Sequence, residues 1–91
     1  MEIEYDPKKN DRNIRQRGLS FDRVAEFDFS TAVVFRDSRR DYSEDRYVAL
    51  GFLADRLHVL CFTPIAEGIR VISFRKANSR ERARYGKSQT S

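Results

Sequence analysis

The chain has 91 residues, enough for one modest hydrophobic core, so residues 1–91 are predicted to form a single domain. Its one cysteine excludes an internal disulfide framework and suits a reducing compartment. The start of the chain has no apolar leader, and no segment approaches the roughly 20 apolar residues needed to span a bilayer. These features predict a soluble, cytoplasmic protein with no membrane partner.

The net charge of +4 is concentrated near the C-terminus. Residues 69–91 carry seven basic side chains and one acidic one, whereas residues 19–68 are net acidic. A segment of this kind attracts RNA, DNA or an acidic protein. Arginine outnumbers lysine, and its planar guanidinium suits phosphate. The alternative is a solvated helix whose charges only keep the domain soluble.

The first predicted elements are a strand and a helix. Residues 3–5 alternate apolar and acidic side chains, the pattern of a short strand with one buried face. Asp6 has the character of an N-cap, Pro7 that of a first helical residue, and Gly18 is expected to end the helix. Ile14 is its one large apolar residue, so a thin buried stripe is predicted.

A second helix is predicted after Ser20. Its expected sheet-facing residues are Phe21, Val24 and Ala25. A turn over residues 27–30 and a strand over residues 32–35 should follow, because the latter are β-branched or aromatic for the most part. Residues 36–46 carry charges of both signs without an apolar period, which predicts a surface loop or hairpin connection.

Three further strands have the clearest patterns in the chain. They are Tyr47 to Leu53, Leu57 to Thr63 and Ile69 to Arg75. The connections between them are short, which favours antiparallel hairpins. Asn78 and Glu81 have the spacing of a capping box that begins a last helix, predicted to run through Tyr85 and to end at Gly86. The predicted fold is α+β, an antiparallel sheet of about four strands with two N-terminal helices packed on it and a short C-terminal helix.

Three blocks of the sequence carry a family resemblance. They are DPKKNDRNIRQRGLSF at 6–21, EDRYVALG at 44–51 and RVISFRKANSRERARY at 70–85. In order and spacing they resemble the BrnT family, the toxin halves of type II toxin-antitoxin pairs. The resemblance implies a compact RelE-like fold and a ribonuclease that cuts RNA and arrests growth. It also implies a BrnA-like antitoxin, in a hetero-oligomer that reaches operator DNA only through that antitoxin.

One departure from the family concerns the end of the first helix. The family commonly has Lys-His-Gly where this chain has Gln16, Arg17 and Gly18. Histidine carries protons near neutral pH and arginine does not. Arg17 therefore replaces a phosphate-binding histidine well and an acid-base histidine poorly.

RNA cleavage without a metal uses the 2′-hydroxyl as nucleophile, so the protein supplies a base, an acid and cations for the charge on phosphorus. Neither a metal nor another cofactor is predicted, because the sequence offers no clear set of ligands. The candidate catalytic residues are Glu44, Arg46, Arg75, Arg80, Glu81 and Tyr85. The candidate RNA-binding residues are Lys9, Asn13, Arg17, Arg70, Lys76 and Arg82.

Each candidate also has a structural interpretation. Glu81 is explained by the capping box and Tyr85 by docking of the last helix. Arg46 is expected to pair with Glu44, and Arg82 with Glu81, if these arginines do not touch RNA.

Two pairs of residues are interpreted from their positions on the predicted helix and strand. Lys9 and Asn13 share one helix face and either bind phosphate or tie the helix to the sheet. His58 is interpreted mainly as a satisfied strand histidine, with Cys61 on the opposite face. The alternative function is a non-catalytic RNA-binding or protein-interaction domain.

Overall fold

A computed structural model describes residues 1–89 as a five-stranded sheet with helices on both faces. The elements are β1 (Glu2–Tyr5), α1 (Pro7–Arg17), a 3₁₀-helix (Phe21–Glu26), β2 (Phe27–Arg36), β3 (Tyr47–Leu53), β4 (Arg56–Ile65), β5 (Gly68–Lys76) and α2 (Ser79–Gln89). The strand order is β1-β5-β4-β3-β2, and no helix in the described part of the chain is long and apolar enough to cross a membrane.

The sheet differs from the prediction in strand number and direction. Strands β2 to β5 form antiparallel pairs, but β1 adds a fifth strand that runs parallel to β5. The close approach of β1 to β5 depends on Gly68, because a Cβ atom there would lie 1.9 Å from the carbonyl oxygen of Glu2. The prediction of a purely antiparallel sheet of about four strands was wrong, since sequence periodicity carries no information on strand partners.

Strand β2 begins at Phe27, where a turn was predicted. The register of β2 against β3 shifts between Asp28 and Val33, so this part of the strand is bulged. The Asp28 carboxylate accepts hydrogen bonds from the backbone N–H and the hydroxyl of Ser30, at 3.0 and 2.5 Å. Such local bonds are typical of turns, which explains why the segment has a turn-like sequence inside a strand.

The second helix is a single 3₁₀-helix. Ser20 caps it as predicted, with its hydroxyl 3.1 Å from the N–H of Asp22. Phe21 and Val24 are buried, but Ala25 is exposed, contrary to the prediction. The reason is the period of three residues per turn, which aligns positions 21 and 24 and rotates position 25 away from the sheet.

Helix α1 packs through asparagines rather than through Ile14, which is 43% exposed. Its predicted ends are confirmed, with Asp6 as the N-cap and Gly18 in the left-handed conformation at φ 65°. Asn10 Oδ1 accepts a hydrogen bond from the N–H of Phe21 at 2.8 Å. Asn13 contacts the sheet directly, so the thin apolar stripe predicted for this helix is replaced by buried amides.

The hydrophobic core is divided by the sheet. The larger part lies under α1 and the 3₁₀-helix and includes Phe21, Val24, Leu60, Val71 and Phe74. The smaller part lies under α2 and consists of Leu50, Leu57, Val59 and Ala77, with Phe35, Val48, Phe52 and Tyr85 packed against it.

Helix α2 continues past its predicted end. Gly86 lies inside the helix and does not adopt the left-handed conformation that ends α1 at Gly18. The prediction that Gly86 stops the helix was therefore wrong.

Candidate functional site

A groove of about 610 Å³ lies beside α2, on the sheet face that this helix covers. Cys61 of β4 and Ser73 of β5 are register partners at its floor. Its charged lining residues are Arg36, Asp37, Arg39, Arg75, Glu81 and Arg84. The arginines outnumber the carboxylates, so the groove suits an anion.

Arg75 and Glu81 form a two-point ion pair at one side of the groove. Arg75 Nη1 and Nη2 donate to the two carboxylate oxygens of Glu81 at 2.8 and 2.7 Å. Glu81 also accepts a hydrogen bond from the N–H of Asn78, whose side-chain oxygen accepts one from the N–H of Glu81, at 2.9 and 2.8 Å. The predicted capping box is confirmed, and it lies on the same carboxylate as the ion pair.

This geometry makes Glu81 a poor proton acceptor. The hydrogen bonds from Arg75 lower the pKa of Glu81, and burial opposes them only in part. The same bonds raise the pKa of Arg75. Glu81 therefore holds Arg75 against α2 and has little tendency to take up a proton.

The opposite side of the groove is built by a pair that the sequence did not reveal. The Asp37 side chain is 2% exposed, and its two oxygens accept hydrogen bonds from Arg39 Nε and Nη2, both at 2.8 Å. These bonds hold the pKa of Asp37 well below its usual range. Arg39 itself is 77% exposed, so a buried carboxylate presents a guanidinium at the groove. Both residues belong to the segment of residues 36–46, which carries charges of both signs and has no apolar period, so the sequence pattern does not distinguish them.

Glu44, Arg46 and Arg70 lie farther along the same face, with partners other than those predicted. Arg70 Nη2 lies 2.9 Å from Glu4, and its Nη1 lies 3.5 Å from Glu44. The Arg46 guanidinium stacks 4.2 Å from the Tyr42 ring centre, while its buried Nε has no hydrogen-bond partner within residues 1–89. The predicted pairs Arg46 with Glu44 and Arg82 with Glu81 are therefore wrong.

Tyr85 and the exposed arginines of α2 complete this region. The Tyr85 hydroxyl donates to the carbonyl oxygen of Thr31 at 2.5 Å, and its ring meets Phe52 edge to face. This confirms the structural interpretation of Tyr85 as the docking residue of α2. Arg80 is exposed and unpaired among the described side chains, whereas Arg82 donates to the carbonyl oxygen of Ala77 at 3.2 Å.

The structure separates the predicted RNA-binding residues. Arg70 lies on the face of the groove, but Lys9, Arg17 and Lys76 line clefts on the α1 side of the molecule. Arg75 and Lys76 point to opposite faces because side chains alternate along a strand. Asn13 is buried, and its Nδ2 donates to the carbonyl oxygens of Leu19 and Phe74, both at 2.9 Å. These bonds agree with the structural alternative given for Asn13, in which it ties the helix to the sheet.

His58 is a satisfied strand histidine on the α1 side, as predicted. It is 3% exposed, and its Nδ1 lies 2.9 Å from the carbonyl oxygen of Arg56. A carbonyl only accepts, so Nδ1 carries the proton in this tautomer. Burial lowers the pKa of His58 and raises that of Cys61, which lies on the opposite face. No three His, Cys, Asp or Glu side chains within residues 1–89 are placed to hold a metal ion together.

The fold and groove define a small α+β protein with an arginine-lined face. A family model for the "Ribonuclease toxin, BrnT, of type II toxin-antitoxin system" matches residues 5–81, so the chain belongs to the BrnT family. A solved structure of the Brucella abortus ribonuclease toxin BrnT superposes with a TM-score of 0.66 at 28% identity, covering 87% of this chain and 99% of that one. A comparison with curated proteins gave no match. The family resemblance seen in the sequence is confirmed, and membership of a type II system implies an antitoxin partner.

Proposed function

We propose that this protein is an endoribonuclease that cleaves RNA without a metal ion in the groove beside α2, and that this cleavage arrests growth in the cytoplasm. The observation that carries the proposal is the pair of guanidinium groups on opposite sides of the groove. Arg75 is fixed by Glu81 and Arg39 by Asp37, so both are oriented before any ligand arrives. Preorganised cations stabilise the charge that develops on phosphorus in the transition state.

The proposed reaction is attack of a 2′-hydroxyl on the adjacent phosphate, which breaks the bond to the 5′ oxygen of the next nucleotide. Glu44 is the base assigned to the 2′-hydroxyl, because its carboxylate has a single long ion pair while Glu81 and Asp37 are each held by two short bonds. The departing 5′ oxygen takes its proton from water. Arg46 and Arg80 do not line the groove itself and are assigned a contribution of positive charge to the bound RNA.

The partner is proposed to be a BrnA-like antitoxin that covers the arginine-lined groove in a hetero-oligomer. Acidic side chains of the antitoxin would compete with RNA phosphates for the same guanidinium groups. Operator DNA would be bound by the antitoxin and not by this chain.

The alternative is a non-catalytic RNA-binding or protein-interaction domain of the same fold. It is favoured by the engagement of Glu81 and Tyr85 in structural contacts and by Arg17 at the family's histidine position. Under this alternative the groove binds RNA and leaves it intact.

The test compares the wild type with an Arg75→Ala/Arg80→Ala double variant. We expect cleavage of RNA in the presence of EDTA to fall by about 100-fold, the usual effect of removing a stabiliser of transition-state charge. Cells in which the double variant is induced should also keep growing. Lys8→Ala/Arg15→Ala is the matched control, because it removes two exposed cations of α1 that do not line the groove.

Three results would contradict parts of this proposal. A folded double variant that cleaves RNA like the wild type would show that the groove is not the cleavage site. Activity that EDTA abolishes and Mg²⁺ restores would show that cleavage requires a metal ion. A wild type that binds RNA without cutting it would establish the alternative.

A further inference from the structure

A second group of cations lies on the α1 side of the molecule. A cleft of about 700 Å³ is lined by Arg17 of α1, Arg56 of β4 and Lys76 of β5. These three side chains have no hydrogen-bond or ion-pair partner among residues 1–89, and Asp55 is the acidic side chain that lines the cleft. The cations come from three separate elements and outnumber the one acidic side chain of the lining, so the cleft attracts an anion.

A third, smaller cleft of about 280 Å³ connects the two regions. It lies between α1 and β5, and Lys9 and Arg12 line it without any acidic residue. It shares Ser73 with the groove beside α2 and Arg17 with the cleft on the α1 side. The connecting cleft therefore borders both of the other depressions.

The fold explains why this surface passes from one face of the sheet to the other. Strand β1 pairs with Gly68–Val71 and leaves the C-terminal half of β5 as an open edge. Helix α1 is tied to this edge by Asn13, which donates a hydrogen bond to the carbonyl oxygen of Phe74. The cations at positions 9 and 12 stand beside that helix-strand junction, between the two faces.

We propose that single-stranded RNA runs from the groove beside α2, over the open edge of β5, to the cleft at Arg17, Arg56 and Lys76. We call this surface, from Arg75 through Lys9 and Arg12 to Arg17 and Lys76, the basic track. The track binds backbone phosphates and holds a substrate longer than the groove alone can reach. This inference rests on the proposed function, because it takes RNA as the ligand of the groove.

The lining favours a nucleic-acid strand over a protein partner. Stable protein interfaces need buried apolar or aromatic anchors. In the connecting cleft the apolar lining residues are Ile72, which is half-buried, and Phe21, which is already in the core. Charge without anchors suits a strand of phosphates.

The simpler account of the α1 cations is that they only solvate the helix and offset its dipole. That account applies to Arg15 and Arg17 in the last turn. It does not explain why Lys9 and Arg12 join cations of β4 and β5 on one surface. Lys8 and Arg15 are exposed on the same helix but line neither cleft, and so provide a charge-matched control.

The experiment measures binding separately from cleavage. A fluorescent 2′-O-methyl RNA of about 12 nucleotides, which cannot be cut at the 2′ position, is titrated by anisotropy at several salt concentrations. Each phosphate contact adds about 0.7 to the slope of log affinity against log salt for a single strand. Lys9→Ala/Arg12→Ala should therefore lower the slope by about 1.4 and the affinity by about tenfold or more at ~0.1 M salt, while Lys8→Ala/Arg15→Ala changes neither.

Cleavage of substrates of two lengths distinguishes the track from the groove. Lys9→Ala/Arg12→Ala should lose more cleavage efficiency on the RNA of about 12 nucleotides than on one of about 4 nucleotides. The single histidine gives a second readout, since its NMR signals should shift when the long RNA fills the cleft beside it and not when the short one binds.

Three outcomes would overturn the track. Equal affinity and salt slope in the two double variants would show that Lys9 and Arg12 do not contact RNA. An unmoved His58 signal with long RNA bound would exclude the α1-side cleft. Unchanged RNA binding together with weakened antitoxin binding in Lys9→Ala/Arg12→Ala would show that this surface binds a protein and not RNA. A wild type that binds the long RNA along the track but cuts neither length would overturn the proposed function alone.

Discussion

Asn13→Ala is expected to be among the most destabilising single changes in this chain, although the residue lies on a polar helix. Its Nδ2 donates to the carbonyl oxygens of Leu19 and Phe74, which tie α1 to the following loop and to the open edge of β5. A buried acceptor that loses its donor costs about 1–3 kcal/mol. Loss of both bonds should therefore lower the free energy of unfolding by about 3 kcal/mol.

That change is large for a domain of this size. A chain of 91 residues has a free energy of unfolding of roughly 5–14 kcal/mol. The melting temperature should accordingly fall by on the order of 15 °C. Urea unfolding measures the free energy directly, and the denaturant dependence should stay unchanged if the folded state keeps its compactness.

Two variants sharpen the test of Asn13. Gln16→Ala is the control, because Gln16 is exposed on the same helix and its side chain has no hydrogen bond within residues 1–89. Asn13→Asp keeps the shape but removes both donors, and its buried carboxylate would face two carbonyl oxygens. That variant should regain stability as the pH falls and the carboxyl group protonates. A loss below about 1 kcal/mol for Asn13→Ala, similar to that of Gln16→Ala, would refute the role given to these bonds.

The other predictions concern the two ends of β5 and the last helix. Arg75 lowers the pKa of Glu81, so this ion pair stabilises the fold above the unfolded pKa of about 4.3 and ceases to do so as the pH falls through the lower folded pKa. Glu81→Gln keeps the capping bonds and should lower the free energy of unfolding by about 1 kcal/mol at neutral pH but by little near pH ~2, as measured by urea unfolding. Glu67→Gln, at an exposed position, is the control and should change it little at either pH. Gly86→Ala should raise the free energy of unfolding by about 0.5 kcal/mol, because the site is helical and open; a loss would contradict a helix that continues past it. Gly68→Ala should instead displace β1 and lower the free energy of unfolding by at least about 2 kcal/mol in urea unfolding. A neutral result would contradict the close contact with Glu2.

Much of the local structure follows from the sequence. The caps at Asp6, Ser20 and Asn78 are recognisable because each residue bonds to a backbone group two or three positions away. The strands β3, β4 and β5 are recognisable because their apolar side chains are continuous or alternate. The family is recognisable from three blocks whose residue types and spacing are specific.

The arrangement of the candidate site was only partly accessible. Arg75 and Glu81 were both candidates, yet their pairing depends on how α2 folds back over β5. Asp37 and Arg39 gave no signal, because a buried carboxylate in an irregular segment has the same sequence appearance as a solvated one. Arg75 and Lys76 were both candidates and are adjacent in sequence, although the pleat places them on opposite faces.

The sequence by itself determined the elements whose stabilising contacts are local, which are the helix caps and the strands β3 to β5. The tertiary structure alone decided which groups meet across the chain. It placed β1 parallel to β5, buried Asn13 in place of Ile14 and left half of β5 as an open edge. The physical reason is that these outcomes depend on long-range packing and on the pairing of buried polar groups, whose partners lie up to 61 positions away. The arginine-lined groove beside α2 is a product of that packing.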